Sequence, residues 1–263
     1  MESGDPLVTA EWLKEHISAP DVRVVDATWF PPFLNPEKTG RQAWAEGHIP
    51  GAVYFDIDAI KAGGTDLPHM LPDPVMFSSR ARKLGLGDGN RIIVYDQFNF
   101  FASARVWWML RVMGQRDVKV LDGGLKAWTD AGGETEDLPP VAVERHFTAR
   151  VRSDLLKDSD QMLAASANSS HNIIDSRSAE RFSGEAPEPR EGLPSGHIPG
   201  SICLPSGELR TEDGRMKSAE ELGKLFPNPL APTIATCGSG VSAAVTALAL
   251  ARLGNWDVAD YDG

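Results

Sequence analysis

Residues 47–52 read Gly-His-Ile-Pro-Gly-Ala, and residues 196–201 repeat this stretch as Gly-His-Ile-Pro-Gly-Ser. Two further stretches recur in the same order: Val-Val-Asp at 24–26 returns as Ile-Ile-Asp at 173–175, and Asp-Gly at 122–123 returns as Asp-Gly at 262–263. The aspartate and histidine motifs keep the same spacing in both halves. A repeat of this length indicates a duplicated domain and not a short solenoid unit.

Each half alternates short apolar runs with helical patterns. In the first half, strands are predicted near 22–26, 52–55, 91–95 and 117–121, and helices near 9–17, 41–46, 74–84 and 102–113. This alternation predicts an α/β fold in which each domain has a parallel sheet covered by helices on both faces. We expect a first domain at 1–137, an irregular proline-containing linker at 138–157 and a second domain at 158–263.

The composition excludes several classes of protein. The 263 residues carry a net charge of −11 and no lysine- or arginine-rich run, which argues against partners such as nucleic acid or an anionic membrane. Two cysteines are too few for a disulfide framework, and no apolar stretch reaches membrane-spanning length. The first residues lack the pattern of a secretory signal. We therefore expect a cytoplasmic protein, in a compartment where a free thiolate persists.

One cysteine lies in an unusual turn. Residues 236–243 read Thr-Cys-Gly-Ser-Gly-Val-Ser-Ala, between a predicted strand and a predicted helix. Gly238 and Gly240 allow a tight turn whose N–H groups, together with the helix N-terminus, favour the thiolate of Cys237. An isolated cysteine at a strand end is more often a small buried residue, but the Gly-Ser-Gly sequence favours a reactive thiol.

The two halves differ at this turn. The corresponding position of the first half is Asp96, and phenylalanines follow it at 98, 100 and 101. A carboxylate cannot act as a sulfur nucleophile, so only the second half is predicted to be catalytic. The other cysteine, Cys203, is predicted to be a buried, unreactive strand residue.

The Cys-Gly-Ser-Gly-Val-Ser-Ala turn resembles the active-site loop of the two-domain rhodanese-type sulfurtransferases, in particular their 3-mercaptopyruvate branch. The Gly-His-Ile-Pro-Gly motifs and Asp-Gly-Gly at 122–124 are further marks of this family, and the resemblance extends from about Leu7 to Gly263. It implies two tandem rhodanese-like domains. It also implies transfer of sulfane sulfur from 3-mercaptopyruvate through a Cys237 persulfide, with release of pyruvate.

The acceptor in this scheme is a small thiol, a thioredoxin-like protein or cyanide, and neither a metal nor an organic cofactor is needed. The backbone of the loop would stabilise the charged sulfur instead. The loop residues are Gly238, Ser239, Gly240, Val241 and Ser242.

Two arginines match the family segment that binds the substrate. They are Arg181 and Arg190, and Arg177 is a lesser candidate. An α-keto acid needs forked donors for its carboxylate and carbonyl oxygens. Without the resemblance, arginines in such a loop would be interpreted as a solvated surface.

The resemblance also implies a proton relay. Asp58 and His69 match a first-domain stretch that acts with the loop serine, here Ser239. Such a relay would move the thiol proton or protonate the enolate. The alternative is a loop histidine that caps backbone carbonyls.

Other functions stay open. Relatives that use thiosulfate place basic residues after the cysteine, and Gly238 and Ser239 disfavour that donor. A phosphatase needs an arginine in the loop, but none occurs between Cys237 and Arg252. A non-enzymatic sulfur-carrier or regulatory module is the third alternative. The family continues with a tryptophan-containing segment where this sequence ends at Gly263, so we expect a chain shortened at this end.

Overall fold

The computed structural model describes residues 4–98, 100–190 and 193–263. The first domain contains the strands β1 (Leu7–Val8), β2 (Val22–Asp26), β3 (Val53–Tyr54), β4 (Arg91–Tyr95) and β5 (Val118–Leu121). Its helices are α1 (Ala10–His16), α2 (Gly40–Glu46), α3 (Pro74–Lys83), α4 (Phe101–Val112) and α5 (Gly124–Asp130). The strands form one parallel sheet in the order β1-β5-β4-β2-β3.

The second domain repeats this architecture. Its strands are β6 (Leu156–Lys157), β7 (Asn172–Asp175), β8 (Ile202–Cys203), β9 (Thr233–Thr236) and β10 (Ala259–Tyr261). Its helices are α6 (Ser159–Asn168), α7 (Ala179–Ser183), α8 (Ala219–Leu225) and α9 (Ala243–Arg252). The parallel sheet has the order β6-β10-β9-β7-β8, which is the equivalent topology, so the α/β prediction with a duplicated domain is confirmed.

Local sequence explains where these elements begin. The helices α2, α6 and α8 each start with a capping box, in which an N-cap side chain and the third helical residue satisfy each other's backbone N–H groups. Strand β4 is a continuous apolar run whose Ile92, Ile93 and Val94 are fully buried, as expected for an inner strand of a parallel sheet. None of the helices described is long and apolar enough to cross a membrane.

The connection between the domains is irregular, but it is bound to the first domain. The N–H of Asp88 donates to the His146 carbonyl at 2.8 Å, the N–H of Arg150 donates to the Met113 carbonyl at 2.9 Å, and Phe147 is buried. The second sheet begins earlier than expected, because Leu156–Lys157 pairs with β10. These two residues belong to the sheet and not to the predicted linker 138–157, since a two-residue strand has no visible alternation.

The two domains share one hydrophobic core. Helix α4 packs against α9, and almost every residue of both helices is buried. The contacts at the edge of this interface are reciprocal. Asp122 accepts a 2.8 Å hydrogen bond from the Met216 N–H, and its counterpart Asp262 accepts one of 2.8 Å from the Leu71 N–H.

Candidate active site

Cys237 follows β9 directly and lies at the carboxyl edge of the second sheet, where loops from parallel strands commonly form a site. It is a free, partly buried thiol. Gly240 adopts φ +72°, a left-handed conformation that favours glycine, and a Cβ there would lie 2.7 Å from Arg105 Nη1. The backbone N–H groups of residues 238–241 have no acceptor among the described residues. The turn can therefore direct several donors at a charged sulfur.

Two arginines hold carbonyl groups of this turn. Arg190 Nη2 donates to the Gly238 carbonyl at 2.5 Å, and Arg105 Nη1 donates to the Gly240 carbonyl at 3.4 Å. Because the C=O and N–H of a trans peptide point in opposite directions, these contacts turn the next N–H groups, those of Ser239 and Val241, away from the arginines. Arg190 belongs to the second domain, whereas Arg105 reaches across from α4 of the first.

The arginines of the predicted binding segment share one buried carboxylate. Arg181 donates through Nε (3.1 Å) and Nη2 (2.5 Å) to the two oxygens of Glu188, and Arg177 Nη1 donates to Glu188 at 2.8 Å. Burial alone would raise the pKa of Glu188, but hydrogen bonds and charge from Arg181 and Arg177 hold it below its ordinary value. Glu188 carries no local sequence signal, because its role depends on the arginines that fold around it.

Arg177, the lesser candidate for substrate binding, uses all three guanidinium nitrogens in contacts within the protein. Its guanidinium also binds both carboxylate oxygens of Asp175 and the Gly196 carbonyl. These contacts fix the end of β7 against the neighbouring loop. Arg181 lies closer to the reactive turn, since a Cβ on Gly238 would come within 2.8 Å of its Nη2.

The first-domain residues His69 and Asp58 are in contact with each other. His69 Nε2 lies 2.9 Å from Asp58 Oδ1, and Trp29 donates to the other carboxylate oxygen at 2.9 Å. The hydrogen bond from His69 is the main reason that the pKa of Asp58 is lowered. His69 Nδ1 is buried and has no partner among the described residues, so the predicted hydrogen bond to Ser239 is not formed in this structure.

The backbone of His69 has an unusual conformation. Its φ is +57°, in the left-handed region, which costs of order 1–3 kcal/mol for a residue with a side chain. Its carbonyl accepts a 2.5 Å hydrogen bond from Arg105 Nη2. The surrounding contacts therefore hold His69 in a conformation that the free chain would disfavour.

A cleft opens over the sulfur between the two domains. The first domain contributes a wall made of Leu67, Pro68 and Met70, and the second contributes the reactive turn, Arg190 and residues 261–263. The lining residues are Leu67, Pro68, Met70, Arg190, Cys237, Gly238, Ser239, Gly240, Tyr261, Asp262 and Gly263. No group of three or more His, Cys, Asp or Glu side chains in the described part of the chain could hold a metal ion.

Cys203 differs from its prediction in one respect. It is only partly buried, because β8 is an edge strand, and its Sγ lies 4.0 Å from the Arg177 carbonyl. Burial, together with the nearby carboxylates of Asp175 and Glu208, raises the pKa of the Cys203 thiol. This environment disfavours the thiolate, so Cys203 is a poor nucleophile.

The chain matches the Rhodanese-like domain family twice, at residues 9–131 and 158–263. The chain belongs to the rhodanese family. This membership confirms the resemblance of the cysteine turn and explains the duplicated architecture.

Relatives within the rhodanese family carry sulfurtransferase names. The chain is 40% identical to 3-mercaptopyruvate sulfurtransferase of Escherichia coli K12, over 97% of this chain and 92% of the relative. It is 38% identical to thiosulfate sulfurtransferase of Gallus gallus, over 99% and 92% of the two chains. The crystal structure of the E. coli 3-mercaptopyruvate sulfotransferase SseA superposes with a TM-score of 0.90, at 39% identity over 99% and 98% of the two chains. The sulfurtransferase prediction is therefore confirmed at the level of enzyme class.

Proposed function

We propose that this rhodanese transfers sulfane sulfur from 3-mercaptopyruvate, through a persulfide on Cys237, to a thiol or cyanide acceptor. The observation that carries the proposal is the Cys237 turn. Its N–H groups at 238–241 have no acceptor in the described part of the chain, and its carbonyls at 238 and 240 are held by arginines. Such a turn can stabilise both a thiolate and a persulfide anion.

Cys237 is the only protein nucleophile that the two transfer steps of the proposed reaction require. The Cys237 thiolate attacks the thiol sulfur of the donor, and the carbon–sulfur bond breaks as the new sulfur–sulfur bond forms. The electron pair of the broken bond remains on the carbon fragment, which is the enolate of pyruvate and takes up one proton. An acceptor thiolate then attacks the outer sulfur and regenerates the Cys237 thiolate.

Two arginines support binding of an α-keto acid. Arg190 lines the cleft beside Cys237, and its fork can contact a carboxylate as well as the Gly238 carbonyl. Arg181 uses Nε and Nη2 for Glu188, whereas its Nη1 has no partner among the described residues. Arg190, which has no carboxylate partner among the described residues, provides local positive charge in a protein whose net charge is −11.

The first domain holds a candidate relay for the proton that the enolate takes up. His69 Nε2 lies against Asp58, so Nδ1, which is buried and has no partner among the described residues, is the nitrogen left for such a relay. We assign to Asp58 the orientation of this ring and to Ser239 the transfer of the proton. An Asp58→Asn variant should lower kcat for 3-mercaptopyruvate more than it lowers the rate of alkylation of Cys237 by iodoacetamide, because alkylation needs no proton donor. Equal losses in both measurements would refute the relay.

Thiosulfate is the second candidate donor, because the Gallus gallus relative bears that name. Against it, the two residues after Cys237 are Gly238 and Ser239, which offer no cation to a dianion. Parallel steady-state assays with the two donors and cyanide decide between them. We expect a kcat/KM for 3-mercaptopyruvate at least ~10-fold higher, and the reverse order would assign the protein to thiosulfate.

The direct test of the proposal is mass spectrometry after treatment with 3-mercaptopyruvate. The expected product carries one added sulfur on the peptide that contains Cys237 and none on the peptide that contains Cys203. A protein that releases pyruvate with no sulfur on Cys237 would exclude the persulfide route. A sulfur that arrives only from a partner protein would instead support a carrier module.

The chemistry of a persulfide indicates which acceptors and which compartment suit this reaction. A small thiol, a thioredoxin-like protein and cyanide can all attack the outer sulfur of a persulfide. A reducing compartment such as the cytoplasm suits a reaction that depends on free thiols, and one relative, from Arabidopsis thaliana, is named as mitochondrial. Activity measured with each acceptor in turn ranks them.

A further inference from the structure

We infer that Arg105 of the first domain, through its ion pair with Asp262, is a positioning residue that sets the conformation of the Cys237 turn. The inference rests on the proposed role of Cys237 as the reacting thiol. It assigns to the domain without the cysteine a specific part in the reaction, beyond forming one wall of the cleft.

The contacts of Arg105 join three segments that line the cleft. Its guanidinium donates to the Gly240 carbonyl at 3.4 Å, to the His69 carbonyl at 2.5 Å and to Asp262 Oδ1 at 3.0 Å. The second oxygen of Asp262 accepts the Leu71 N–H at 2.8 Å. Each of these partners lies in, or next to, a segment that lines the cleft over Cys237.

The burial of this arginine is costly, which indicates that it is kept for more than packing. Arg105 is fully buried, and the Asp262 side chain is only 7% exposed. Taking such a pair out of water costs several kcal/mol per ion, which the mutual attraction only partly offsets, and an apolar pair would serve stability as well. The Trp108 ring, whose centroid lies 4.3 Å from the guanidinium carbon, supports one face of Arg105.

Arg105 has no arginine counterpart at the equivalent position of the second domain. When Asp96 is aligned with Cys237, Arg105 of α4 corresponds in sequence to Thr246 of α9. Thr246 instead exchanges a 2.8 Å hydrogen bond with Ser176 inside its own domain. The turn of the first domain, which has no cysteine, is therefore not held by an equivalent arginine from α9.

The action of Arg105 follows from peptide geometry. Its hydrogen bond fixes the Gly240 carbonyl, and the same rigid peptide carries the Val241 N–H in the opposite direction. Gly240 has no side chain to restrict its backbone, so without this contact the peptide could rotate. Arg105 thus limits the turn to one arrangement of its donors, and the same guanidinium holds the backbone of His69 in register with it.

The test compares Arg105→Lys with Arg111→Lys, because both arginines are buried on α4. Arg111 lies nearly two turns further along, donates to the Trp256 carbonyl at 2.6 Å and stacks on Trp107. Lysine keeps the charge and loses the fork. We expect Arg105→Lys to lower kcat for 3-mercaptopyruvate ~10- to 100-fold with KM changed less than about threefold, since a displacement of about 1 Å has this effect. Arg111→Lys should lose stability but keep kcat within about twofold.

A second pair of variants tests the same inference if the arginine variants do not fold. Asp262→Asn breaks one of the two contacts of the Asp262 carboxylate, whereas Asp122→Asn makes the same change at the equivalent position, where the partner is the Met216 N–H. The expected loss of kcat is confined to Asp262→Asn. Thermal unfolding of all four variants establishes which of them are folded.

Alkylation of Cys237 by iodoacetamide, followed by peptide mass spectrometry without any sulfur donor, separates this inference from the proposed function. We expect alkylation to slow at least ~3-fold in Arg105→Lys and Asp262→Asn and to stay unchanged in their controls. If the wild-type protein does not use 3-mercaptopyruvate, the proposed donor fails while the alkylation rates still test Arg105. Rates in a folded Arg105 or Asp262 variant that equal those of its control would overturn the inference.

Discussion

The turns at Asp96 and Cys237 occupy equivalent places in the two domains, yet they satisfy their backbones differently. In the first domain, Asp96 accepts the N–H groups of Phe98 at 3.1 Å, Phe100 at 3.3 Å and Ser103 at 2.8 Å. In the second, a cysteine replaces the carboxylate, and the N–H groups of residues 238–241 have no acceptor among the described residues. The first turn shows what this loop does: its donors converge on an anion.

The two turns also differ in how open they are. The first turn is closed by its own carboxylate and by the rings of Phe98 and Phe101, whose centroids lie 5.7 Å apart. The second turn is open to the cleft, and its carbonyl groups are held by Arg190 and Arg105, which are far from it in sequence. The first turn gathers its N–H groups on its own carboxylate, whereas the second, in the described part of the chain, leaves them free to receive a charged sulfur.

Replacing the sulfur gives the largest effect. Cys237→Ser should lower turnover of 3-mercaptopyruvate by at least ~10³-fold, because a serine hydroxyl is not ionised in this turn. Pyruvate release in steady state measures the loss. Cys203→Ser is the matched control and should keep turnover within about twofold; a folded Cys203→Ser protein without activity would reverse the assignment of the two cysteines.

Removing the proposed substrate-binding arginines comes next. Arg190→Ala and Arg181→Ala should each weaken kcat/KM for 3-mercaptopyruvate by about 1.5–3 kcal/mol, which is the loss of one charge-assisted hydrogen-bonded pair. Arg80→Ala, at an exposed site on α3, controls for the change in net charge. Unchanged kinetics in both loop variants would place these arginines on the solvated surface.

The backbone freedom of the active turn can be tested separately. Gly240→Ala should lower kcat ~10-fold, because its φ is +72° and the new Cβ would lie 2.7 Å from Arg105 Nη1. Gly214→Ala introduces the same kind of strain, at φ +83°, where no atom lies within 4 Å of the new Cβ. Both variants should lose about 1 kcal/mol of stability, measured by denaturant unfolding. Equal kcat values in the two variants would show that catalysis does not depend on the backbone conformation at Gly240.

The smallest effect concerns the inactive turn and appears only in stability. Burial raises the pKa of Asp96 to about 6, above the ordinary value of about 4 in an unfolded chain. The folded protein therefore holds this proton more tightly, and the associated stability, at most about 3 kcal/mol, is present below pH 4 and lost as pH rises through 6.

Asp96→Asn removes this titration. The free energy of unfolding of the variant minus that of the wild type should increase between pH 4 and pH 6 and become constant above pH 7. Its absolute value includes a fixed cost, because the amide group opposes the Ser103 N–H. Chemical denaturation across this pH range measures the difference. A difference that decreases with pH would contradict the raised pKa of Asp96.

Much of the fold follows from sequence patterns. The predicted strands at 22–26 and 91–95 coincide with β2 and β4, because near-continuous apolar runs identify inner parallel strands. The two-residue strands β1 and β6 were missed, since so short a segment shows no alternation and its place depends on pairing with β5 or β10. The irregular linker predicted at 138–157 makes backbone contacts with the first domain, and such contacts leave no periodic signal in the sequence.

The site was predicted less completely than the fold. Cys237 and the contact between Asp58 and His69 come from local sequence and family resemblance, whereas Arg105 and Glu188 were overlooked. Their significance depends on which chain segments meet in three dimensions. One signal was available: Arg105 interrupts the apolar helix of residues 101–112, and a charged residue at a buried helical position usually has a specific partner.

The reciprocal bonds of Asp122 and Asp262 have a wider consequence. Their donors, Met216 and Leu71, each lie two residues before the N-cap of equivalent helices, α8 and α3, and the equivalent helices α4 and α9 pack on each other. This is the isologous, self-complementary surface of a closed two-fold homodimer, formed inside one polypeptide. Symmetry in a true homodimer forces both sites to share one sequence. Joining the subunits in a single chain removes that constraint, so one turn could keep its cysteine while its twin became a carboxylate.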